Sequence, residues 1–578
     1  MQLLFQDNGI ASKLLRDDPN RYIYEVVRQG VDIPLPEVIE AGINDVSKRD
    51  SWNKPATSDY ALPTETWREH ITRRNRCLEL RQKLADGKIN SINDLITHNL
   101  NIRQLAQDII ENCYDPELVW AFYQTVTKIT ILDPTCGSGA FLFSALNILE
   151  SLYEACFEQM QIFLDESFIP QNESCVRVLE NFRQVLEQVN SHDNRNYFII
   201  KSIVINNLYG VDIMQEATEI CKLRLFLKLT SQVEPDISKP NNGIEPLPDI
   251  DFNIRAGNTL VGFTSLDEVR DAIAKDSSGQ LKLVYDNSVI EQIEVSSQTV
   301  DRIFQEFRNL QIALHIDSKK LGSKKAELRA SVNQLKEELD CYLAEEYEME
   351  LSKRIVPFER WKESHQPFHW FVEFYKIIRQ GGFDVIIGNP PYVEYRLVKS
   401  TYKLKQSSYK SEPTNNLYAF CIERAAILLR RSGYFGMIIP AGVLGLDDAV
   451  SLRKVLLKRF TYNFCSTYAI RPSKLFDGVD QRLCIYIGKF NKEVESKILT
   501  TRYHHWNSEE RNTLFPCLEY NESFHYKRLE RIPQVGSSEA ASILAKLESK
   551  NGRLVLNYFA SNRHGCLMHY HRSPRYWI

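Results

Sequence analysis

The fold is decided by the stretch Thr130-Ile131-Leu132-Asp133-Pro134-Thr135-Cys136-Gly137-Ser138-Gly139-Ala140-Phe141. A β-branched apolar run ends at Asp133, a glycine turn follows, and Phe141 opens a helical pattern. Gly137 and Gly139 allow the backbone to approach a ligand closely, where any Cβ would clash. The start of the helix offers unpaired N–H groups to a carboxylate or phosphate. This pattern predicts a strand, a ligand-binding loop and a helix.

Short β-branched runs alternate with helical periodicity on both sides of this stretch, from about residue 106 onward. Such alternation is typical of a parallel sheet covered by helices. Six or seven strands are predicted, at residues 129–132, 208–213, 254–256, 384–387, 434–439, 464–469 and 483–488. We therefore expect an α/β fold of the Rossmann-like kind.

A helical insertion separates the third and fourth predicted strands. Its segment 318–353 is rich in Lys and Glu and carries apolar residues at helical spacing, namely Leu328, Val332, Leu335, Leu339 and Leu343. This spacing predicts a long helix or helical hairpin, whose charges we expect to face solvent rather than nucleic acid. The predicted divisions are a helical N-terminal region (1–105), the first half of the core (106–265), the insertion (266–360), the second half of the core (361–500), and a linker with a further region (501–578).

The composition of the 578-residue chain excludes several classes of protein. Its length predicts two to four domains. The 12 cysteines contain no C-x-x-C pair, so we expect reduced thiols and no metal site. No apolar run approaches the roughly 20 residues of a membrane helix, since the longest, 435–446, is interrupted by Pro440 and glycines. The N-terminus has no signal-peptide pattern, and we expect a cytoplasmic protein without membrane contact. The net charge of -4 does not by itself indicate a nucleic-acid partner.

Two further strand ends carry polar residues. Asp212 ends the second predicted strand, a position that accepts hydrogen bonds from ribose hydroxyls in doubly wound folds. It lies 79 positions after Asp133, farther than usual, and a lone acidic residue at a strand end is also a common helix cap. Asn258 follows the third predicted strand in the segment 253–260. The interpretation of both residues therefore depends on their neighbours.

The fourth predicted strand continues directly into Asn389-Pro390-Pro391-Tyr392. Two prolines after a strand produce a stiff, extended turn. Such a turn offers the side-chain oxygen of Asn389 and the carbonyl of Pro390 as two acceptors for one amino group. Tyr392 offers an aromatic face to a planar substrate. For N-P-P alone, a plain surface turn is the alternative. The position of N-P-P after a strand, and after a matching glycine loop, favours a catalytic turn.

These motifs resemble those of a known family. D-P-x-C-G-S-G-x-F resembles the cofactor loop of amino-methylating DNA methyltransferases, and N-P-P-Y resembles their catalytic motif. The loop precedes N-P-P-Y, as in the gamma class of N6-adenine DNA methyltransferases. Residues 95–500 are similar to the methylase region of type IIG restriction–modification and BREX-type, PglX-like proteins. The resemblance implies a seven-stranded class I methyltransferase sheet, S-adenosylmethionine as cofactor, and methylation of adenine in double-stranded DNA in a restriction–modification or phage-defence system.

The resemblance also implies roles for individual residues. The implied cofactor contacts are Asp133, Thr135, Gly137, Gly139, Phe141, Asp212, Ile213 and Asn258, the last at the adenine of the cofactor. The implied catalytic and base-holding residues are Asn389, Pro390, Tyr392 and Phe476, with Phe476 in the family-like segment 475–482. Residues 416–420 with Glu423 resemble the helix that closes the cofactor pocket, and residues 433–440 resemble the strand after it.

Two basic segments are predicted to contact DNA, and an ordinary basic surface loop is the alternative for either one. In residues 392–410, basic residues alternate with tyrosines, a composition that suits phosphate contacts and stacking on an unpaired strand. The basic residues are Arg396, Lys399, Lys403, Lys405 and Lys410, and the tyrosines are Tyr395, Tyr402 and Tyr409. The second segment, 551–578, contains Arg553, Arg563, Arg572 and Arg575 and no acid. Family members continue beyond this point, so we expect a truncated or split gene product that depends on a separate target-recognition or defence-complex chain.

Other activities fit the sequence less well. The E-x-K triplets at 495–497 and 548–550 lack a suitably placed upstream acid for a nuclease site, and Pro516-Cys517 follows the core, unlike the nucleophile of ring-carbon cytosine methylases. Two alternatives remain open. One is a protein or RNA amino-methyltransferase, because N-P-P-Y suits any planar amide or amine. The other is a non-catalytic or partner-dependent DNA-binding subunit with the methylase fold.

Overall fold

A single mixed sheet organises the chain. The structure is a computed structural model that describes residues 9–549, apart from 166–169, 171, 240–241, 243, 275–286, 313–317, 348–354, 406–407, 491–495 and 525–529. Within this part, nine strands pair in the order β3-β2-β1-β4-β5-β7-β6-β8-β9. They are β1 (Ile131–Asp133), β2 (Leu208–Asp212), β3 (Ile254–Ala256), β4 (Phe383–Gly388), β5 (Leu429–Pro440), β6 (Tyr462–Tyr468), β7 (Leu483–Lys489), β8 (Lys497–His504) and β9 (Asn521–Ser523).

Strand β1 lies in the middle of the sheet, parallel to β2 on one side and to β4 on the other. Strand β3 runs parallel to β2, and β5 runs parallel to β4. Strand β7 runs antiparallel to both β5 and β6. The carboxyl ends of β1 to β5 therefore meet at one edge of the sheet, where ligands bind in open α/β folds.

The predicted α/β fold is confirmed, but the predicted number of strands is wrong. All seven predicted strands are present with ends shifted by a few residues, and the sheet contains nine strands instead of seven. Strand β8 pairs parallel to β6, and β9 pairs antiparallel to β8. Part of the segment predicted as a linker after residue 500 is therefore built into the sheet.

The N-terminal region is helical, as predicted. Its longest helix begins with a capping box, in which Thr66 and Glu69 bond each other's backbone N–H groups. The helices pack around a separate apolar cluster that includes Leu15, Tyr22 and Leu80. The predicted boundary at residue 105 falls inside α7. The helices are α1 (Ile10–Asp17), α2 (Pro19–Tyr22), α3 (Glu25–Arg28), α4 (Glu37–Asn44), α5 (Trp67–Ala85), α6 (Ile92–Thr97), α7 (Ile102–Glu111) and α8 (Pro116–Lys128).

The helices that follow β1 and β2 cover one face of the sheet. They are α9 (Ala140–Asp165), α10 (Glu173–Asn190), α11 (Arg195–Asn206) and α12 (Gln215–Thr230). Contrary to the sequence-based expectation, α9 is long and apolar enough to cross a membrane by length and composition. It packs against α7, α8, α10, α11 and strands β1 and β2, and its residues Leu142, Leu146 and Phe157 belong to the largest apolar cluster. The apolar composition of α9 is therefore accounted for by this core.

The insertion contains a helical hairpin, and the segment predicted as a long helix or helical hairpin forms one long helix of it. Helix α13 (Leu266–Ala274) is followed by α14 (Asn287–Ile312) and α15 (Ser318–Glu346), which pack against each other. The five predicted apolar residues of α15 are all buried. Polar contacts that join α15 to the core include two with the segment before β4: His369 Nε2 lies 3.0 Å from Asp340 Oδ1, and Lys336 Nζ lies 3.1 Å from the buried carboxylate of Glu373. The hairpin is thus fixed to the sheet by polar and apolar contacts.

Short helices complete the second half of the chain. They are α16 (Ile355–His365), α17 (Trp370–Glu373), α18 (Tyr375–Arg379), α19 (Tyr395–Val398), α20 (Leu417–Leu428), α21 (Val450–Arg459), α22 (Arg511–Leu514) and α23 (Ser538–Ser549). Helix α20 is buried along almost its whole length, because it packs between the sheet and the segment that follows β4.

Candidate active site

The glycine loop connects the end of β1 to the start of α9. Gly137 and Gly139 both have positive φ angles, of 51° and 82°. A Cβ on Gly139 would lie 2.4 Å from the sulfur of Cys221 on α12, whereas a Cβ on Gly137 would meet no atom within 4 Å. Gly139 is therefore required by packing inside the protein. Gly137 faces open space, where a ligand can approach the backbone.

Asp212, at the end of β2, lies next to this loop. Its Oδ2 accepts a hydrogen bond from the N–H of Gly137 at 2.9 Å, and its Oδ1 accepts one from the N–H of Met214 at 2.9 Å. Ile213 is half-buried against a neighbouring apolar cluster, and Phe141 is half-buried in the first turn of α9. The structure thus brings together Gly137 of the loop and the acid that follows it 75 positions later in the sequence.

Asp133 lies at the end of β1 with its carboxylate buried. One carboxylate oxygen accepts the N–H of Thr135 at 3.1 Å, while the other oxygen and the hydroxyl of Thr135 are buried without a hydrogen-bond partner among the described residues. Burial, with a smaller contribution from the charge of Asp212, raises the pKa of Asp133 to about 7. A buried acceptor without a partner is costly unless a ligand supplies a donor or a positive charge.

Asn258 follows β3 at the same edge of the sheet. Its backbone N–H donates to the carbonyl of Gln366 at 2.8 Å, and its side-chain oxygen accepts the N–H of Leu260 at 3.0 Å. Its side-chain nitrogen is buried and has no hydrogen-bond partner. Asn258 therefore retains a spare donor, suited to an acceptor such as a ring nitrogen.

The N-P-P-Y turn follows β4, which lies next to β1 on the other side from β2. Asn389 is exposed, Pro390 is buried and Tyr392 is half-buried. The Tyr392 hydroxyl contacts the side-chain amide of Asn389 and lies 2.9 Å from the carbonyl oxygen of Ile438 in β5. The ring of Tyr392 meets that of Tyr418 edge-on, with centroids 6.4 Å apart. The turn is thus held against β5 and α20 and leaves the Asn389 side chain facing solvent.

Phe476 lies in the segment between β6 and β7. It is half-buried and packs against the same apolar cluster as Tyr392, a cluster that includes Phe464, Tyr468 and Leu475. The two aromatic residues that the sequence assigned to the target base are therefore brought to one region by the fold.

The basic segment after Tyr392 differs from the prediction. The rings of Tyr395, Tyr402 and Tyr409 are buried, so the expectation that they stack on an unpaired strand is wrong. The Tyr395 oxygen accepts the N–H of Leu404 at 2.6 Å, and the Tyr409 hydroxyl donates to the carbonyl of Leu260 at 2.7 Å. The basic side chains at 396, 399, 403, 405 and 410 are exposed, and Arg396 forms an ion pair with Glu394. This surface is basic but not aromatic.

Two buried charged residues of α20 hold this segment in place. Glu423 accepts hydrogen bonds from the N–H of Lys410 at 3.0 Å and from the N–H and hydroxyl of Ser411 at 2.9 and 2.8 Å. Arg424 donates to the carbonyl of Leu260 at 3.1 Å and to the Tyr409 oxygen at 2.9 Å. Arg424 belongs to none of the motifs in the sequence, although a Glu-Arg pair within an otherwise apolar helix is a signal for buried, paired charges.

Some predicted features cannot be placed. The arginines at 553, 563, 572 and 575 lie outside the described residues. Among the residues that the structure describes, no group of three His, Cys, Asp or Glu side chains is placed to hold a metal ion.

Comparison with known families gives two matches. The family model described as Eco57I restriction-modification methylase matches residues 206–470. The model described as MmeI, DNA-methyltransferase domain matches residues 110–261. Together the two matches include the glycine loop, Asp212, Asn258 and the N-P-P-Y turn.

Individual relatives are longer than this chain. A Methanocaldococcus jannaschii protein described as a type II restriction enzyme and methyltransferase is 28% identical over 523 residues, which is 82% of this chain and 39% of that protein. The type II restriction enzyme and methyltransferase RM.Eco57I of Escherichia coli is 23% identical over 336 residues, 56% of this chain and 21% of that protein. The chain thus spans less than half the length of both relatives. A solved structure of the type IIL restriction-modification enzyme MmeI in complex with DNA gives a TM-score of 0.31 at 10% identity, over 90% of this chain and 55% of that one.

Proposed function

We propose that this member of the restriction–modification methylase family transfers a methyl group from S-adenosylmethionine to the N6 amino group of adenine in double-stranded DNA. The observation that carries the proposal is the position of the N-P-P-Y turn at the carboxyl end of β4. That end lies beside the ends of β1 and β2, which carry the glycine loop and Asp212. A site for a bound nucleoside and a site for a planar amino group thus adjoin on one edge of the sheet.

The residues at this edge fit S-adenosylmethionine. The unpartnered carboxylate oxygen of Asp133 suits the positive end of the cofactor, and the open backbone at Gly137 allows close approach. Asp212 retains lone pairs for ribose hydroxyls, and the spare Asn258 nitrogen can donate to the adenine ring. The bound cofactor supplies an electrophilic methyl group on a sulfonium.

Asn389 and Pro390 act on the substrate amino group. Their oxygens would accept its two hydrogens and hold the nitrogen in place, and they would favour the positive charge that the nitrogen carries until it releases one proton to solvent. Tyr392 and Phe476 bind the base outside the helix, and their stacking offsets part of the few kcal/mol needed to expose it. Catalysis in this scheme consists of positioning and polarisation.

The DNA duplex contacts the exposed basic side chains at 396, 399, 403, 405 and 410. Lysine and arginine contacts to phosphates position the protein without selecting a sequence. Because the relatives of this chain are longer, we propose that the target sequence is selected with the help of a further domain or a separate target-recognition chain. The same arrangement would place the protein in a restriction–modification or phage-defence system.

The proposal is tested by incubating the chain with methyl-labelled S-adenosylmethionine and duplex DNA of mixed sequence, then identifying the labelled nucleoside by mass spectrometry. We expect N6-methyladenine, and no label when Asn389 is replaced by Ala. RNA and glutamine-containing peptides serve as parallel substrates. Label on either of these alone would favour the other amino-methyltransferase classes, and label on none, with a relative's recognition domain supplied, would favour a non-catalytic subunit.

A further inference from the structure

An open cavity of about 480 Å³, here called the arginine cleft, lies at the sheet edge opposite the active site. It is lined by Gln380, Gly381, Leu429, Arg430, Arg431, Arg459 and Phe490. These residues surround the starts of β4 and β5, whereas Asn389 follows the end of β4. The six residues of β4 span about 20 Å. The arginine cleft is therefore separate from the proposed active site.

A bulge in β5 shapes the cleft. Phe383 pairs with Leu429, but the next pair in register joins Val385 to Tyr434, so residues 430–433 are left out of the β4–β5 pairing. Ser432 has a φ of 63°, and its N–H donates to the carbonyl of Phe490 at 2.9 Å. Bulges of this kind redirect side chains, and here Arg430 and Arg431 are exposed at the end of the sheet.

The third arginine is held rigidly. The guanidinium of Arg459 lies 3.6 Å from the centroid of the Phe490 ring and donates to the carbonyl of Leu429 at 2.9 Å. Its Nε is buried and has no hydrogen-bond partner. Burial and the charge of nearby Arg431 lower the pKa of Arg459 to about 10. The positive charges of Arg431 and Arg459 thus lie close together, and their repulsion lowers the free energy of unfolding.

The charges of the cleft do not balance. Arg430 forms an ion pair with Asp384, but neither Arg431 nor Arg459 has an acidic partner in the described part of the chain. Within the part of the chain that the structure describes, two guanidiniums beside the open cavity are therefore left without a compensating negative charge. Guanidinium groups bind phosphate and carboxylate oxygens through paired N–H bonds.

We propose that the arginine cleft binds a dianionic phosphate group, either as inorganic phosphate or as the terminal phosphate of a small monoester. Such a group carries a charge of about −1.5 to −2 at neutral pH, which matches the two guanidiniums that have no acidic partner among the described residues. A carboxylate or an internal phosphodiester of DNA carries only one negative charge. The rigid placement of Arg459 reduces the entropy lost on binding.

The test is isothermal titration calorimetry of the full chain in phosphate-free buffer at pH 7.5, with inorganic phosphate, phenyl phosphate and dimethyl phosphate as ligands. We expect both dianions to bind, and the diester to bind at least about tenfold more weakly. Arg431→Gln should weaken the binding of both dianions by about tenfold or more, and Arg459→Lys should weaken their binding as well. Arg177→Gln, which changes an exposed arginine on α10, is the control and should leave binding unchanged.

Arg431 is exposed, so its variant is expected to fold, and its melting temperature verifies this. Lowering the pH to 5.5 should weaken binding severalfold, because the second pKa of a phosphate ester is about 6. The proposal is overturned if neither dianion binds, or if Arg431→Gln and Arg177→Gln bind them equally well. The proposal is also overturned if the binding of dimethyl phosphate, or of a duplex without terminal phosphates, depends on Arg431 as strongly as the binding of inorganic phosphate does. The site would then bind the phosphodiester backbone of DNA.

Discussion

The phenolic oxygen of Tyr392 contacts both the side-chain amide of Asn389 and the carbonyl oxygen of Ile438. A hydroxyl has one proton, which it cannot donate to an amide oxygen and a backbone carbonyl at the same time. Because the backbone carbonyl can only accept, the hydroxyl donates to Ile438. We infer that the Asn389 amide donates its N–H to the phenolic oxygen, because the oxygen and nitrogen of an amide are assigned from the hydrogen bonds around them. This arrangement would turn the Asn389 oxygen away from Tyr392 and, in the proposed mechanism, toward the amino group of the substrate.

The first prediction concerns this hydroxyl. Tyr392→Phe keeps the aromatic ring but removes the group that orients Asn389, so we expect turnover to fall by about tenfold with little change in KM for DNA. The matched control is Tyr418→Phe, at the neighbouring ring. In an Asn389→Asp background, Tyr392→Phe should lower turnover much less. The two oxygens of the Asp side chain are equivalent, so no hydroxyl is needed to select which one faces the substrate. Equal turnover of wild type and Tyr392→Phe would show that only the ring matters.

The second prediction separates catalysis from cofactor binding. Asn389→Ala removes an acceptor whose effect is greatest in the transition state, so turnover should fall by about 100-fold or more. Affinity for S-adenosylmethionine should stay the same, because in the proposed mechanism Asn389 contacts the substrate and not the cofactor. Methylation assays and calorimetry measure the two quantities. A parallel loss of cofactor affinity would mean that Asn389 supports the cofactor pocket instead.

The edge of the sheet that carries the site could be predicted from the sequence because each relevant strand ends in a distinctive turn. Buried runs followed by glycines, by Asp212 or by two prolines identify the carboxyl ends of β1, β2 and β4. Parallel strands bring such ends together whatever the distance along the chain. The insertion was predictable for a similar reason, since α15 keeps its apolar residues in helical register.

Other features depend on contacts that the local sequence does not reveal. Strands β8 and β9 form by pairing onto the edge at β6, and neither is followed by a motif. The basic segment after Tyr392 alternates lysine with tyrosine or leucine, and this alternation turns the apolar side chains inward and the lysines outward. The side chains of Tyr402 and Tyr409 are consequently part of the core, although the composition suggested a stacking surface.

The third prediction distinguishes the two loop glycines. Gly139→Ala places a Cβ 2.4 Å from the sulfur of Cys221 and should lower the free energy of unfolding by about 1–3 kcal/mol beyond the strain of its positive φ. Gly137→Ala is the matched control, because it has the same kind of strain without the clash. Adding Cys221→Ala should restore most of the stability of Gly139→Ala. Chemical denaturation measures these differences, and a lack of rescue would contradict the packing role of Gly139.

The fourth prediction concerns DNA. Replacing the exposed lysines 399, 403 and 410 by Glu should weaken binding to all duplex sequences alike. The slope of log affinity against log salt should decrease by about 3, since each phosphate contact contributes about 0.9. The control replaces the exposed lysines 13, 54 and 128, which lie in and beside the N-terminal helices. An unchanged slope in the first variant would mean that this surface does not contact DNA.

The fifth prediction follows from the raised pKa of Asp133, which is about 7 in the folded chain and about 3.9 in an unfolded chain. Between these pH values the folded chain binds more protons, so the contribution of Asp133 to the free energy of unfolding decreases as the pH rises. Asp133→Asn lacks this contribution. Its melting temperature relative to wild type should therefore increase between pH 5 and pH 8.

Binding of the cofactor should depend on pH in the opposite sense. A positively charged ligand favours the ionised carboxylate, so wild-type affinity for S-adenosylmethionine should rise as the pH passes through about 7. Asp133→Asn should bind more weakly at pH 8 and lose this dependence on pH. Scanning calorimetry of both proteins from pH 5 to 8, with and without S-adenosylmethionine, measures both effects, and unrelated titrating groups cancel in the comparison. A difference in melting temperature that stays constant over this range would show that Asp133 is ionised throughout, and that its free oxygen is satisfied in another way.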